Sequence, residues 1–100
     1  MATGTVGNYP LIEYVMVSSN SSKTVARPSW AKFCLVIKTN TTQYVTLTIE
    51  FNNGQTRTIA PSNYQANMGG QIAANLTTDV KLMNTDQYSG NNIDVVVIFF

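Results

Sequence analysis

Apolar and polar residues alternate along much of the chain with a period of two, which indicates β-strands. The clearest run is YVTLTIEF, where every second residue from Val45 to Phe51 is apolar and the residues between are Thr or Glu. A strand with this pattern has one face in a hydrophobic core and one face toward water. The pattern therefore predicts a half-buried strand here.

The residues that follow this strand predict a tight reversal of the chain. Asn53 and Gly54 both tolerate positive φ, as a two-residue type I′ turn requires, and QTRTIA would form the returning strand. This register places Glu50 opposite Arg57 on the solvent face. It also places Ile59 on that face, so either a bulge or a cover over the face is expected as well.

Three further runs predict strands. LIEYVMVSS begins at Leu11 and ends in turn-forming residues, and NLTTDVKLMN places Val80 and Leu82 on one face. In AKFCLVIKT we expect the face with Phe33, Leu35 and Ile37 to be the core face. The other face is half-polar, with the residues Lys32, Cys34, Val36 and Lys38.

Other segments are less regular. KTVARPSW is stopped by Pro28 and predicts a short edge strand or a connection. In PSNYQANMGGQIAAN the pair Gly69-Gly70 breaks any helix, so a single helical turn or a long loop is expected. We interpret residues 1–10 as a flexible N-terminal arm and residues 11–100 as one domain.

About six to eight short strands separated by turn residues predict an all-β protein. The expected architecture is a single-domain antiparallel β-sandwich, of jelly-roll or immunoglobulin-like connectivity, with a small barrel as the alternative. Neutral polar residues support this prediction. The chain has twenty Ser and Thr and eleven Asn but only 11% charged residues, a mixture that favours strands and turns over helices.

Charge and composition exclude several kinds of partner. The net charge is +1 and the six basic residues are scattered, whereas nucleic-acid binding needs clustered Lys and Arg. No apolar run reaches the length of a membrane span, and the first residues lack the pattern of a signal peptide. We therefore expect no nucleic acid and no membrane as partners, and a location in a virion or extracellular assembly, otherwise the cytoplasm.

The sequence contains few residues that could form a catalytic or metal-binding site. The chain has no His, and its single cysteine, Cys34, lies in an apolar run that predicts a small buried side chain. TDQYSGNN has oxygen ligands but not the spacing of a calcium loop. The carboxylates that could act as a glycosidase pair are interpreted as solvated charges on strands and loops: Glu13, Glu50, Asp79, Asp86 and Asp94. We predict that the protein is not an enzyme and binds no metal or cofactor.

A glycan is the alternative partner. Aromatic rings can stack on a sugar while Asn, Gln and Thr donate hydrogen bonds. The candidate rings are Trp30, Tyr9, Tyr14, Tyr44, Tyr64 and Tyr88. Three glycosylation sequons occur, at Asn20, Asn40 and Asn75, which is close to the number that this Asn, Ser and Thr content gives by chance. They do not distinguish a glycoprotein from any other chain of this composition.

The last six residues give the strongest functional signal. They are all apolar, so both faces of the strand that they form must be covered: Val95, Val96, Val97, Ile98, Phe99 and Phe100. A thin sandwich has one core, and we expect the second face to contact another subunit. The predicted function is a structural subunit of an ordered assembly, most simply a virion capsid or decoration protein that forms homo-oligomers or binds other structural subunits, with a sugar-binding β-sandwich module as the alternative.

Overall fold

The computed structural model describes residues 9–39, 45–59, 69–86 and 90–100, and all regular secondary structure in these ranges is β-strand. The strands are β1 (Leu11–Val17), β2 (Ser21–Val25), β3 (Phe33–Lys38), β4 (Leu47–Phe51), β5 (Gln55–Ile59), β6 (Gly70–Ala74), β7 (Val80–Asn84) and β8 (Ile93–Phe99). The predicted strands are present, and the weak segment before Pro28 forms a short edge strand.

The strands form two four-stranded antiparallel sheets. The first sheet has the order β1-β8-β3-β6 and the second has the order β2-β7-β4-β5. β1 pairs with β8, β2 with β7, β3 with β6 and β4 with β5, so the chain resembles one long hairpin that is rolled up from its β4–β5 tip. This is jelly-roll connectivity. The predicted single-domain β-sandwich is confirmed, and its two separate sheets differ from the barrel alternative.

The core lies between the sheets and consists mainly of alternate side chains from the four central strands, with further buried side chains from the edge strands: Val17, Val25, Ile59 and Ala73. β4 and β7 contribute every second residue, as their period-two patterns predicted, and β8 does the same although both of its faces are apolar. The buried apolar side chains on the central strands are Cys34, Val36, Leu47, Ile49, Phe51, Val80, Leu82, Ile93, Val95, Val97 and Phe99. Cys34 is thus a buried small hydrophobe, as expected.

The predicted orientation of β3 is wrong. Phe33, Leu35 and Ile37 face outward, whereas Cys34 and Lys38 are completely buried together with the residue at position 36. Both faces of this strand are apolar, so its own sequence does not set the orientation. Pairing with β8 decides it, because Cys34 and Lys38 lie opposite residues of β8 that fill the core.

The hairpin between β4 and β5 is present, but its loop has three residues and not two. Phe51 pairs with Gln55, and the residues between them, Asn52, Asn53 and Gly54, all have positive φ. The extra loop residue, Asn52, is held in place by the β6–β7 connection. Its side chain accepts a hydrogen bond from the backbone nitrogen of residue 77 at 2.7 Å and donates one to the carbonyl of residue 75 at 2.8 Å.

The three-residue loop shifts the register of β5 by one residue. Glu50 lies opposite Thr56, and Arg57 lies opposite Ile49, so the predicted Glu50–Arg57 pair is wrong. The same shift turns Ile59 inward, where it is buried. A two-residue turn would have placed the apolar side chain of Ile59 on the solvent face, and the three-residue loop avoids this.

β6 is the strand that sequence analysis did not predict. It begins at Gly70, inside the pair of glycines that was expected to form a loop. Glycine weakens a strand because it has no side chain to pack, yet pairing with β3 compensates here. Residues 60–68 of the same segment, the arm at residues 1–8 and residues 87–89 of the last predicted loop lie outside the described residues.

Candidate interaction surface

The terminal apolar run lies in the middle of the first sheet. β8 is hydrogen-bonded to β1 on one side and to β3 on the other. The pairing continues past the strand, since the Phe100 nitrogen donates to the Phe33 carbonyl at 3.0 Å and the Phe100 carbonyl accepts from the Phe33 nitrogen at 2.9 Å. Both edges of this run are therefore used within the chain, and only its outer face is available to a partner.

The six predicted interface residues divide into two sets. Val95, Val97 and Phe99 are buried in the core of their own sandwich. Val96 and Ile98, together with the terminal phenylalanine, are only partly buried and face outward. The prediction that this run contacts another subunit stays a prediction, and the structure restricts it to the second set.

The outward residues of the neighbouring strands extend this set into a continuous apolar surface. Ile98 lies between Ile12 of β1 and Leu35 of β3, and Val96 lies in the next row, between β1 and β3 as well. β6 adds Ile72 beside β3. We call this surface the apolar face; it consists of Ile12, Tyr14, Met16, Phe33, Leu35, Ile37, Ile72, Val96, Ile98 and Phe100.

Much of the apolar face is open to water. Tyr14 is 82% exposed, and Ile12, Met16, Phe33 and Ile72 are 38% to 52% exposed. If a large apolar side chain has a full accessible area of about 200 Å², the exposed parts of these five come to about 500 Å². This is close to the upper end of apolar patches on soluble monomers, about 300–600 Å², which are often functional.

Two phenylalanine rings lie at one end of the apolar face. The rings of Phe33 and Phe100 are stacked, with centroids 5.3 Å apart and planes inclined by 19°. At the opposite end the exposed side chain of Asp94 lies in register with Met16. The apolar face is thus bounded by a carboxylate at one end and a fixed aromatic pair at the other.

The outer surface of the second sheet has the opposite character. We call it the polar face; its outward residues in the four strands are Ser22, Thr24, Thr48, Glu50, Thr56, Thr58, Lys81 and Met83. Glu50 and Lys81 are cross-strand neighbours in it. Threonine suits a strand and can keep its hydroxyl in water, so the composition of this sheet's outer surface is compatible with contact with solvent.

The five carboxylates lie on β1, β4 and β8 and in the loops on either side of β7. Asp79 accepts a hydrogen bond from the Arg27 backbone nitrogen at 2.9 Å, and Asp86 accepts one from the Asn91 side chain at 2.8 Å. Both bonds fasten loops. Glu50 and Asp79 do line one shallow open groove, together with Lys81, Asn53, Gly54 and Thr78. Within the described parts of the chain, no three acidic, cysteine or histidine residues are grouped as metal ligands.

The interior holds two ionisable groups. Burial raises the pKa of the Cys34 thiol to about 12, so the nucleophilic thiolate is suppressed at neutral pH. Burial lowers the pKa of Lys38, whose Nζ donates to the Val45 carbonyl at 3.5 Å. Both side chains face the core of the sandwich.

Only part of the predicted aromatic platform is seen. Tyr9 and Trp30 form an edge-to-face pair with ring centroids 4.9 Å apart, and Trp30 also packs against the core. Tyr14 belongs to the apolar face. Tyr44, Tyr64 and Tyr88 lie outside the described residues.

The predicted interface contained only three residues of the apolar face, Val96, Ile98 and Phe100. It lacked the outward residues of β3, which were assigned to the core, and those of β1 and β6. The signal was present in the sequence. β3, like β8, is apolar at both odd and even positions, and β1 places Ile12, Tyr14 and Met16 at alternate positions. Two strands that are apolar on both faces need a second covered surface even in a sandwich.

Comparisons with known proteins give no family for this chain, since no family model matches it and no curated protein sequence is significantly similar to it. Within the described residues there is no helix long and apolar enough to span a membrane. Any functional proposal therefore depends on the surface itself.

Proposed function

We propose that the protein is a structural subunit of an ordered assembly, of the kind that virion capsid and decoration proteins represent, and that it associates through the apolar face. The observation that carries the proposal is the contrast between the outer surfaces of the two sheets. One is a continuous apolar surface and the other is rich in threonine. Jelly rolls occur in viral capsids and in lectins alike, so the fold by itself supports either class by analogy only.

The energetics favour a covered apolar face. Removing about 500 Å² of apolar surface from water contributes on the order of 10 kcal/mol per copy at about 25 cal/mol/Å². This gain opposes the cost of association, which is about 4–15 kcal/mol in lost translational and rotational freedom, together with the ordering of side chains at the contact. Only 11% of the residues in the chain are charged. A surface with so few charges offers little protection against association.

The test is the mass of the particle in solution, measured by light scattering over the micromolar range. The intact protein should be larger than its monomer mass of 11.0 kDa. Tyr14→Asp should release monomers, because it places a charge in the contact. Thr58→Asp is the matched control, since it adds the same charge at an outward position of an edge strand, but on the polar face.

Two results would contradict the proposal. The intact protein could scatter as a monomer at every concentration. Alternatively, Tyr14→Asp and Thr58→Asp could dissociate the particle equally. Circular dichroism spectra of both variants should match that of the intact protein, which separates lost assembly from lost folding.

A sugar-binding module is the second candidate, and the Tyr9–Trp30 pair favours it. Tyr9 is 60% exposed, and Arg27 stiffens the loop below it by donating from Nε to the Ala31 carbonyl at 2.9 Å. A rigid exposed ring of this kind can stack on a sugar. A glycan array with the intact protein and a Tyr9→Ala variant tests this candidate, and binding that is equal in both would exclude this pair as the site.

A further inference from the structure

All four edge strands of the sandwich carry a polar side chain at an inward-facing position. In each case the register partner on the neighbouring strand belongs to the core: Glu13 of β1 pairs with Val97, Lys23 of β2 with Leu82, Arg57 of β5 with Ile49, and Gln71 of β6 with Val36. Three of the four polar side chains are charged. An inward-pointing charge on an edge strand is a common means of preventing the addition of a further strand.

The physical reason is desolvation. At an open edge such a side chain reaches water around the rim of the sandwich, as the exposed Lys23 and Arg57 do. Arg57 lies across the rim of the core, with its guanidinium carbon 5.7 Å from the centre of the Phe51 ring. A strand from another molecule added at this edge would extend that sheet and bury the charge, which is costly unless the added strand also supplies a charge of opposite sign.

The apolar face has no such obstacle. Among the outward residues of β1, β8, β3 and β6, Asp94 is the one charged side chain, and it lies at the end of β8. Thr39 donates its backbone nitrogen to the Asp94 carbonyl at 2.8 Å there, which marks the rim of the apolar face. Two such faces pressed together bring no like charges into contact at their centre.

From these observations we infer that the occupant of the apolar face is a second copy of this chain, packed face to face, and that the sheets do not join at their edges. The inference rests on the proposed function and specifies its contact. Two apolar faces would bury about 1,000 Å² in total, the lower limit for a specific interface. The occupant needs no charge or hydrogen-bond complementarity, because the face offers almost none.

Cross-linking of single cysteines tests this geometry. The variants Leu35→Cys, Ile37→Cys, Val96→Cys and Ile98→Cys, each in a Cys34→Ala background, place a thiol at the centre of the apolar face. Packed sheets lie about 10 Å apart, so a bis-maleimide of about 8 Å should join two copies through at least one of these positions. Thr48→Cys, at the centre of the polar face, is the control and should give no covalent dimer.

Edge-to-edge association predicts another pattern. If sheets joined through β1 or β6, a cysteine on β3 or β8 would be at least three strand spacings, about 14 Å, from the same cysteine in the other molecule. This distance is longer than the reagent can span. The four central cysteines would then fail to cross-link although light scattering still showed an assembly, and this result would overturn the inference while leaving the proposed function standing. A monomeric intact protein would instead overturn both. A dimer from any central cysteine, with none from Thr48→Cys, supports face-to-face packing.

Discussion

The two sheets of this sandwich have similar inner surfaces and opposite outer surfaces. Each inner surface supplies aliphatic and aromatic side chains to one core. Outside, the two central strands of the second sheet present the cross-strand pair Glu50 and Lys81, whereas the two central strands of the first present Leu35 and Ile98. Because the core is built from the inner surfaces alone, the outer apolar face has to be explained by something other than the stability of the domain.

This distinction can be tested most strongly inside β8, where neighbouring residues belong to different surfaces. Phe99→Ala should lower the free energy of unfolding by about 3–5 kcal/mol, because it leaves a cavity in the core. Phe100→Ala should lower it by about 1 kcal/mol or less, since its ring lies on the outer surface. Urea unfolding followed by circular dichroism measures both values.

The measurement needs a background without association, since binding between folded copies adds to apparent stability. Tyr14→Asp provides it, provided that both alanine variants are made in that chain. Equal losses for Phe99→Ala and Phe100→Ala would show that both surfaces are part of the fold. The comparison between inner and outer surfaces would then no longer hold.

Sequence reasoning succeeded where polarity alternated and failed where it did not. The strand that ends at Phe51 has Thr and Glu on one side, so its buried side was predicted correctly. β3 is apolar on both sides between Phe33 and Ile37, and its orientation depends on the register with β8, which is a long-range property. The loop at Asn52 likewise depends on hydrogen bonds to the distant residue Thr77, which local turn preferences do not contain.

Two glycines, one in each sheet, differ in backbone conformation. Gly54, at the tip of the second sheet, has a φ of 121° with no atom within 4 Å of an added Cβ. Gly54→Ala should therefore cost more than about 1 kcal/mol through backbone strain alone. Gly70 of the first sheet would place its Cβ 3.5 Å from the Val36 carbonyl oxygen, an ordinary contact.

Gly70→Ala is thus the matched control, and we expect it to be neutral or to stabilise by up to about 1 kcal/mol, because it reduces the freedom of the unfolded chain. Thermal or urea unfolding of the two variants measures the difference. A neutral Gly54→Ala would contradict the positive φ at the hairpin tip. A large loss from Gly70→Ala would show that β6 needs glycine for a reason other than local space.

The smallest expected effect is the pH dependence of stability. It comes from Cys34 and Lys38, two ionisable side chains on the inner surface of β3 in the first sheet. Among the described residues, the two central strands of the second sheet have no ionisable side chain on their inner surface. The pKa of Lys38 is lowered by burial from its usual 10.5, so in the range just below pH 10.5 the unfolded chain holds a proton that the folded chain has released. Stability should rise with pH through that range. Lys38→Met keeps the volume of the side chain and should flatten this rise.

Cys34 acts in the opposite direction and has to be separated from Lys38. Its pKa is raised by burial from 9.0 to about 12, so above pH 9 the unfolded chain loses a proton that the folded chain keeps, and stability falls with increasing pH. Unfolding curves between pH 7 and 11 for Cys34→Ala, with and without Lys38→Met, isolate the lysine. The Lys38 side chain is buried, so its replacement should change the pH profile. A profile unchanged by Lys38→Met would show that burial does not lower the pKa of this lysine.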